Sequence, residues 1–429
     1  MGDWEETSLG QLCDRERPIT YGIVKIGAFV RDGVPVIRGG DIREGRIVFD
    51  DDKRVTQDVS DQFARTVLRG GEIVMNLISE LGHTAIVPLE LAGANVTRDV
   101  AVVALGDDVD HEFVNHFLRS PVAVRWLKGR LQGSATQKIN LPTLRDLPIP
   151  LPPIDEQRRI ACILSALDDK IELNRRTNRT LESIARAIFK SWFVDFDPVR
   201  RRMEGSEVGL PPDLAAMFPA SFRESRLGSM PDEWESGCLG DVSALNPEAW
   251  NKGSRPDVLH YVDLSNTKWG RIEAVVVHSG ADAPSRAQRV LRCGDTIVGT
   301  VRPGNGSYAF VSDDGLTGST GFAVLRPAEK EYREFVYLAT SAPDNIAALA
   351  LLADGGAYPA VRPEAVAATP VVLPPRDVVA AFSRGVEPLF KRIGRNNREC
   401  DRLVTLRDAL LPRIVSGQLA THGAEGLAS

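Results

Sequence analysis

Residues 151–174 read LPPIDEQRRIACILSALDDKIELN, and residues 373–396 read LPPRDVVAAFSRGVEPLFKRIGRN. The two stretches align without a gap, because Ile171 matches Ile393 and Asn174 matches Asn396 at one offset (393 − 171 = 222 and 396 − 174 = 222). A repeat of this length indicates a duplicated domain rather than a solenoid of short units. Upstream of the repeat the two halves have mostly diverged, which suggests two similar supports that carry two different domains.

Both copies of the repeat contain a heptad pattern, which predicts two coiled-coil helices. The first helix places Ile160, Leu167, Asn174, Leu181 and Ile188 at one seam position, and Leu164, Ile171, Asn178 and Ala185 at the other. The second helix places Phe382, Leu389, Asn396, Leu403 and Leu410 at one position, and Val386, Ile393, Cys400 and Arg407 at the other. The sequence leaves the orientation of the pair open, and antiparallel packing fits a pseudo-twofold protein.

Single residues predict details of these helices. Asp155, followed by Glu156, is a suitable N-cap for the first helix. Pro388 lies inside the second helix and is expected to kink or interrupt it. The matching seam residues Asn174 and Asn396 either fix the register by finding a polar partner or mark a place where the seam opens to solvent.

The chain upstream of each helix reads as β-rich. Short apolar runs broken by Gly and Asp predict strands at residues 47–49, 72–75 and 100–103, and at 271–276, 296–298 and 322–325. Helical spacing follows at residues 111–131 and 331–352. The pairs Gly71-Glu72 and Gly294-Asp295 stand at matching places, where each predicts a turn before a strand.

The predicted fold class is therefore α+β, with two β-rich globular domains joined by two long coiled-coil helices. The predicted boundaries are 1–150 for the first domain, 151–190 for the first helix, 191–229 for a central linker, 230–372 for the second domain, 373–418 for the second helix and 419–429 for a tail. In the linker, aromatic residues between Trp192 and Phe196 predict an ordered segment packed on a helix. The run Arg200-Arg201-Arg202 either contacts phosphate or forms a solvated face.

Composition narrows the class of protein. The chain has 429 residues and a formal net charge of −6, so it lacks the global basic signature of a nucleic-acid binder, which does not exclude a local basic patch. The five scattered cysteines form no CxxC pair, which favours reduced thiols in a cytoplasmic protein over disulfides or zinc. The acidic N-terminus does not resemble a signal peptide, and no window approaches ~18 uninterrupted apolar residues, so we expect no membrane span.

The motifs of catalysis are missing from the sequence. Asn246-Pro247 is followed by Glu248 and not by the proline and aromatic residue of an amino-methyltransferase tetrad. Gly304-Asn305-Gly306 lacks the Lys-Ser/Thr of a phosphate-binding loop, and no HExxH occurs. We therefore expect no catalytic residues and no metal site in this chain.

Four stretches resemble the specificity subunits of type I restriction–modification systems. Residues 151–160 (LPPIDEQRRI), continued by 171–176 and 180–182, are similar to the start of the family's conserved helix. Residues 189–199 (FKSWFVDFDPV) are a specific match, and residues 406–412 (LRDALLP) with Gly417 look like the second conserved region. The chain departs from the family pattern at 374–379 (PPRDVV), which lacks the Glu-Gln-Arg of the first helix, and at Cys400, which stands where the first seam has Asn178.

The resemblance implies a function and a set of partners. Two target-recognition domains would each read one half of a bipartite, non-palindromic site in double-stranded DNA. The paired helices would space the domains and dock two methyltransferase subunits, and restriction–translocase subunits would join the complex. The chain itself would bind no cofactor, since S-adenosylmethionine, ATP and Mg²⁺ belong to the partner subunits. A helix of ~35 residues rises ~50 Å, more than the ~34–36 Å of one B-DNA turn, so such helices could hold two readers apart.

Polar and cationic residues on loops of the two domains are the candidates for DNA contact. We select Arg38, Arg98, Gln137 and Lys138 in the first domain, and Lys268, Arg302, Asn305, Ser319, Thr320 and Tyr358 in the second. For each of them the alternative is a solvated surface side chain. Two other functions stay open: a scaffold of two ligand-binding modules, favoured by the negative charge, and an enzyme with a divergent site.

Overall fold

The computed structural model describes residues 4–43, 45–49, 53–78, 81–131, 138–251, 253–353, 356 and 359–415. The chain divides into two compact units, which we call the first unit (within residues 1–173 and 399–429) and the second unit (within residues 174–398). The division falls inside the two long helices, so each helix contributes one half to each unit.

Both predicted coiled-coil helices are present. They span Ile154–Phe193 and Arg376–Val415, 40 residues each. The prediction that Asp155 is the N-cap is wrong, because the helix already begins at Ile154, and Asp155 lies in its first turn, where a carboxylate suits the helix dipole. The prediction of an interruption at Pro388 is also wrong, since the second helix runs through it. Pro388 is exposed, while the buried neighbours Val386 and Phe390 hold the helix by packing.

The long helices pack antiparallel within each unit, as predicted. In the first unit, Cys400 Sγ lies 3.7 Å from the carbonyl oxygen of Ile171, and Ile160 and Leu164 share a core with Leu411 and Ile414. In the second unit, the rings of Phe189 and Phe382 lie 6.1 Å apart between centroids. In both units residue numbers rise along one helix as they fall along the other.

The seam is buried at some positions and half-buried at others. The buried members are Ile160, Leu164, Ile171, Asn174, Ala185, Phe382, Val386, Asn396 and Cys400, and the half-buried members are Leu167, Asn178, Leu181, Ile188, Leu389, Ile393, Leu403, Arg407 and Leu410.

The seam asparagines of the second unit have polar partners. Asn396 Nδ2 donates to Asn178 Oδ1 at 2.8 Å, and Asn178 Nδ2 donates to Asn397 Oδ1 at 2.8 Å. Asn174 and Asn396 are 3% and 1% exposed, so the alternative of a seam open to solvent is wrong.

The first unit is built on antiparallel sheet. A four-stranded sheet has the order Thr20–Tyr21, Val100–Val103, Ile73–Asn76, Thr84–Ile86. A three-stranded sheet has the order Arg54–Val55, Val34–Ile37, Asn95–Val96, with its last two strands parallel. Ile42–Arg43 pairs with Arg46–Ile47, and Glu5–Ser8 pairs with Pro148–Leu151.

The second unit repeats this topology. A four-stranded sheet has the order Ser243–Leu245, Phe322–Pro327, Thr296–Gly299, Tyr308–Phe310, and a second has the order Val276–Ser279, Val258–Val262, Leu316–Ser319, Ala287–Val290. The two-stranded pairs are Thr267–Lys268 with Arg271–Ile272, Glu235–Cys238 with Pro370–Leu373, and Phe222–Ser225 with Gly228–Pro231. Strand Val258–Val262 pairs parallel with Leu316–Ser319, as Val34–Ile37 does with Asn95–Val96. The diverged halves therefore share one fold.

Both faces of the first unit's four-stranded sheet are buried at its central strands. In the first unit Ile73, Met75 and Val103 belong to one apolar cluster, and Val74 and Val102 belong to another. Because side chains alternate along a strand, adjacent residues supply opposite faces of the sheet. This explains why these strands read as continuous apolar runs in the sequence.

Short helices complete the units. The first unit contains Leu9–Leu12, Gln57–Asp61, His111–Arg119, Pro121–Lys128 and Leu141–Arg145, with 3-10 turns at Gly39–Asp41, Ala64–Thr66 and Leu89–Leu91. The second unit contains Asp197–Met203, Pro212–Ala215, Leu239–Val242, Arg333–Thr340, Pro343–Leu352 and Pro363–Ala367, with 3-10 turns at Leu264–Asn266, Pro303–Asn305 and Lys330–Tyr332. Each predicted helical segment is thus two helices, because a proline follows a turn at Pro121 and at Pro343.

Most predicted strands are confirmed, and two are corrected. Residues 73–76, 100–103, 296–299 and 322–327 are strands as expected. At 47–49 only Ile47 is in a strand, and the run 271–276 is split between Arg271–Ile272 and Val276–Ser279. Neither segment is enclosed on both faces: Val48 is 61% exposed and Val276 is 40% exposed.

The predicted turns before the strands are confirmed in both units. Gly71 and Gly294 have φ of 88° and 95°, a region that favours glycine. The backbone N–H of Arg69 donates to Glu72 Oε1 at 2.8 Å, and that of Arg292 donates to Asp295 Oδ2 at 2.8 Å. The acidic residue therefore closes the turn that its preceding glycine permits.

The central linker is ordered, as predicted. The first long helix ends at Phe193, and in the linker beyond it Phe196 lies 5.9 Å from Trp234 and 6.1 Å from Phe222, between ring centroids. In the arginine run, Arg200 Nε donates to the carbonyl oxygen of Asp195 at 2.8 Å, and Arg202 donates to that of Ala216 at 3.1 Å. These guanidinium groups hold the linker together, which argues against their use as phosphate contacts.

Two surveys of the described residues complete the picture. No single helix among them is long and apolar enough to cross a membrane, and one pair, Lys330–Thr340 with Pro343–Leu352, passes by length and composition only when its 64° bend is ignored. Among the same residues, no group of three or more His, Cys, Asp or Glu side chains is placed to hold a metal ion.

Candidate nucleic-acid interface

Four segments of the first unit meet at one edge of its sheets, which we call the first edge. Two of them follow the parallel strands Val34–Ile37 and Asn95–Val96, so Arg38 and Arg98 leave the sheet on the same side. The backbone N–H of Thr97 donates to Ile37 O at 3.0 Å, that of Leu77 to Asp99 O at 2.8 Å, and that of Ile139 to Leu77 O at 3.0 Å. These bonds bring the segment at residues 138–140 to the same edge.

Cationic side chains collect at the first edge. Arg98 and Lys138 are exposed and line one cleft of about 570 Å³, together with Tyr21, Val24, Leu77, Ile78, Ile139, Asn140 and Leu141. The Arg38 side chain is 42% exposed and lies 3.6 Å from Asp41, which also pairs with Lys53 at 3.2 Å. The structure therefore brings three of the four predicted residues of this domain together, and the fourth, Gln137, lies outside the described residues.

The second unit has a corresponding edge, which we call the second edge. The backbone N–H of Thr300 donates to Gly321 O at 2.8 Å, and that of Val361 donates to Thr300 O at 2.9 Å. Asp99 and Gly321, like Ile139 and Val361, are separated by the repeat offset (321 − 99 = 222 and 361 − 139 = 222). The same hydrogen-bonded frame thus supports different side chains in the two units.

The hairpin at residues 267–272 joins the second edge. The backbone N–H of Trp269 donates to Gly306 O at 2.7 Å, which ties the hairpin to the loop that carries Arg302 and Asn305. Both loop residues are exposed, and Lys268 in the hairpin is half-buried. Three of the predicted residues of this domain are therefore neighbours in the fold.

The remaining predicted residues of the second domain have different outcomes. Ser319 is 1% exposed and its hydroxyl accepts the N–H of Gly321 at 3.3 Å, so it lies inside the unit, and its selection as a base reader is corrected. Thr320 is half-exposed, and its backbone N–H donates to Arg286 O at 2.8 Å. Tyr358 lies outside the described residues.

Two features of the second unit were missed by the sequence reasoning. Trp269 is 62% exposed beside the candidate cations, and its only sequence signal is an aromatic residue between Lys268 and Arg271. A cleft of about 980 Å³ is lined by Trp250, Asn251, Arg255, Pro256, Asp257, Ser279, Gly280, Ala281, Ser285 and Gln288. These residues come from separate loops and strands, so no sequence motif marks the cleft.

The residues that follow the parallel strands differ in chemistry between the first edge and the second edge. Arg38 and Arg98 follow the parallel strands in the first unit, and Asp263 and Thr320 follow them in the second. Asp263 is occupied locally, because its Oδ1 accepts the N–H of Leu264 at 2.6 Å and its Oδ2 lies 3.3 Å from the Tyr261 hydroxyl. The two residues that follow the parallel strands are therefore two arginines in the first unit, and an aspartate and a threonine in the second.

A buried charged cluster fixes the long helices to the first unit. Asp168 accepts from Arg119 at 2.6 Å and from Arg407 at 2.7 Å, so it joins a short helix to both long helices. Burial lowers the pKa of His116 to about 4; Asp168 opposes this shift, and Arg119 and Arg407 act in the same direction as burial. Burial alone would raise the pKa of Asp168, but Arg119 and Arg407 outweigh it and hold the pKa below its usual value.

Two units of one topology, each with a polar edge, define a two-module recognition protein. Comparisons with known proteins show which proteins the chain is similar to. Residues 1–183 match the model of the type I restriction modification DNA specificity domain.

Curated relatives extend the match over the chain. It is 24% identical to the type I restriction enzyme HindI specificity subunit of Haemophilus influenzae, over 98% of this chain and 100% of that protein. It is 22% identical to the MjaIX specificity subunit of Methanocaldococcus jannaschii, over 97% and 94% of the two chains. It is 30% identical to the EcoBI specificity subunit of Escherichia coli, over 43% and 41%.

Over nearly its whole length the chain is therefore similar to specificity subunits of type I restriction–modification systems. Among solved structures it is similar to the S subunit from M. genitalium, with 14% identity, 96% coverage of both chains and a TM-score of 0.49. The sequence matches confirm the resemblance noted at the helices.

Proposed function

We propose that this chain reads a bipartite, asymmetric site in double-stranded DNA for a type I restriction–modification complex. The first unit reads one half-site through the first edge, and the second unit reads the other through the second edge. The chain performs no catalysis, and its role is to bring the methyltransferase to the correct adenines.

The proposal rests on one observation: the first and second edges share a hydrogen-bonded backbone but carry different side chains. A duplicated domain with equal side chains would read the same bases twice and favour a palindrome. Arg38 and Arg98 present donors that suit guanine O6 and N7, whereas Thr320 and Asn305 can both donate and accept. Two unlike half-sites are the expected result.

A formal net charge of −6 is compatible with DNA binding, because cationic side chains are concentrated at the first edge. Arg38, Lys53, Arg98 and Lys138 lie at the first edge, where Asp41 already neutralises part of the charge of Arg38 and Lys53. Phosphate contacts need such cations only where the backbone passes. Acidic residues elsewhere lower the net charge without affecting that surface.

The long helices are the proposed spacer and docking surface for two methyltransferase subunits. Leu173 and Ile184 on the first helix are 57% and 45% exposed, and Leu406 on the second is 47% exposed. Exposed aliphatic side chains on otherwise polar helices suit a protein partner. S-adenosylmethionine is expected on those methyltransferase subunits, and ATP and Mg²⁺ on restriction–translocase subunits.

The decisive experiment is a methylome. The chain is expressed with its cognate methyltransferase subunit in a host that lacks DNA methylation, and modified bases are mapped by single-molecule sequencing. One bipartite, non-palindromic motif that disappears when this chain is omitted is the expected result. Site-specific methylation that persists without the chain would refute the proposal.

The rival function, a scaffold that binds two other ligands, is separated by DNA binding. The purified complex with methyltransferase subunits should shift a duplex that contains the motif, and affinity should fall steeply as salt rises. A complex that forms normally but binds the motif and a scrambled duplex equally weakly would favour the scaffold.

A further inference from the structure

Trp269 is the most exposed of the described tryptophans of the second unit, in which Trp250 is half-buried. Its side chain is 62% exposed, whereas Trp192 and Trp234 are 7% and 1% exposed. It lies between the strands Thr267–Lys268 and Arg271–Ile272, at the tip of a two-residue hairpin turn. A large aromatic ring held in water at a hairpin tip needs a reason, because the same ring would stabilise the unit if it were buried.

The backbone of Trp269 is held in an unfavourable conformation. Its φ is 45°, in the left-handed region that residues with a Cβ avoid. The N–H of Trp269 donates to Gly306 O at 2.7 Å, and the N–H of Gly270 donates to Tyr308 O at 2.9 Å. Strained backbone that is fixed from several sides is typical of functional positions.

Glycine neighbours hold the ring in place. A Cβ on Gly306 would lie 2.5 Å from the Trp269 ring, so the ring packs directly on that backbone. A Cβ on Gly270, whose φ is +87°, would lie 2.6 Å from the Tyr337 hydroxyl. The Tyr308 ring meets the indole edge-on, with 6.1 Å between centroids. The indole is thus supported on one side and open on another.

The surroundings of the ring favour nucleic acid as its partner. Lys268 and Arg271 flank Trp269 in the hairpin, and Arg302 lies in the loop bonded to it, also with a left-handed φ of 47°. An open aromatic face amid cations suits a base, because the ring stacks on the base while the cations accompany the backbone.

We propose that Trp269 is a base-stacking wedge that enters the half-site read by the second unit and unstacks a base step there. This inference rests on the proposed function. Apolar wedges of this kind bend the duplex by ~20–90°. Selectivity would then include the ease with which the half-site deforms, and not only hydrogen bonds to base edges.

The first unit has no tryptophan in the sequence of the corresponding hairpin. Its corresponding hairpin joins Ile42–Arg43 to Arg46–Ile47, and Glu44 stands in the sequence at the place of Trp269 (269 − 44 = 225 and 270 − 45 = 225). A carboxylate does not stack on bases and is repelled by phosphate. The deformation is therefore confined to one half of the site.

The test uses the complex with methyltransferase subunits and a duplex that carries the methylated motif. In one series, 5-iodouracil replaces thymines of each half-site in turn, and ultraviolet cross-links are located by mass spectrometry. We expect a cross-link to residue 269 from the second unit's half-site.

In a second series, Trp269→Ala should weaken binding by about 5–150-fold and reduce the bend measured by energy transfer between the duplex ends. Trp269→Phe should retain most of both, and Met203→Ala, which removes another exposed side chain of this unit at the end of the helix Asp197–Met203, should change neither.

The alternative outcomes are distinct. Equal affinity and equal bend for Trp269→Ala and wild type, without a cross-link, would overturn the wedge while the proposed function stands. Normal DNA binding with poor assembly of the methyltransferase subunits would show that Trp269 is a protein contact, which also overturns it. No specific binding by the wild-type complex would overturn the proposed function and the wedge together.

Discussion

Arg98 and Lys138 offer the most direct residue-scale prediction, since both are exposed and line one cleft at the first edge. If both contact phosphate, the double variant Arg98→Ala/Lys138→Ala should bind the motif more weakly and lower the slope of log affinity against log salt by about 2. The measurement is fluorescence anisotropy of the complex with duplex DNA across a salt series.

The control for this variant is Lys128→Ala. Lys128 is exposed in the same unit, but it lies at the end of the helix Pro121–Lys128 and not at the first edge. An equal loss of affinity in the control would mean that the cations act through total charge. If neither the affinity nor the salt slope changes in the double variant, both residues lie outside the interface.

His116 gives a prediction about pH. Burial lowers its pKa to about 4, from an ordinary 6.5. The unfolded chain therefore takes up a proton below about pH 6.5 that the folded chain refuses, and stability falls as the pH falls toward 4. By linkage, the first unit should lose about 2 kcal/mol between pH 7 and pH 5. Calorimetric unfolding of the full chain at the two pH values measures this loss.

The matched variant His116→Gln isolates the effect. Burial raises the pKa of Glu112 nearby, and that carboxyl gains stability as the pH falls, opposite to His116. Glu112 is present in both proteins, so the difference between them reports His116 alone. The same pH dependence in the variant and the wild type would show that His116 does not titrate as described.

Candidate DNA-contact residues could be predicted from the sequence only where the residue type alone indicated an exposed side chain. Arg98 and Lys138 were identified because long cationic side chains on loops seldom become buried. Ser319 was misjudged because its strand, Leu316–Ser319, lies inside a sheet with a paired strand on each side. That position depends on segments far apart in the sequence, so the burial of the side chain could not be predicted. Trp269 was missed because an aromatic residue is normally counted with the core, and only the hairpin geometry places it outside.

At the scale of elements, the asparagine ladder of the long helices can be tested. Asn178→Ala removes the partner of both Asn396 and Asn397, and Asn396 is only 1% exposed. A buried amide left without its partner costs about 1–3 kcal/mol, so the free energy of unfolding of the second unit should drop by that amount. Urea unfolding of the full chain measures it.

Two further variants sharpen this test. Thr180→Ala changes an exposed position of the same helix and should cost less than about 0.5 kcal/mol. Asn178→Leu with Asn396→Leu replaces the polar layer by an apolar one and should recover stability, at some cost in register. If Asn178→Ala is no worse than Thr180→Ala, the ladder does not stabilise the seam.

Helices were more predictable than sheets for a physical reason. A heptad pattern is local, so five repeats of apolar seam residues in each copy sufficed to place both long helices. Sheet order depends on contacts between segments far apart in sequence, such as the parallel pair at Val36 and Asn95. Even the unbroken path through Pro388 depended on the packing of neighbouring residues, which the sequence does not display.

For the whole molecule, duplication explains how one frame serves two half-sites. The turn, the sheet order and the bonded edge recur in both units, whereas the side chains on the edges differ. A new half-site can therefore arise by changes at one edge without disturbing the other unit. The repeat offset of 222 made the duplication of the helices visible, but the common topology of the diverged domains emerged only from the strand pairing.

The path of the chain makes a prediction about its C-terminal helix. Leu411 and Ile414 are 4% and 3% exposed in the core of the first unit, and Arg407 pairs with Asp168 at 2.7 Å. Removing residues 399–429 should cost about 3–6 kcal/mol for the two aliphatic side chains alone, a large part of the 5–15 kcal/mol that stabilises a typical domain. Calorimetry of the truncated chain should show the transition of the first unit lowered or lost. The second unit, which lies within residues 174–398, should melt near its normal temperature. Removal of 419–429 alone is the control and should change neither transition, while a first unit that melts normally without residues 399–429 would show that the returning helix is not part of its fold.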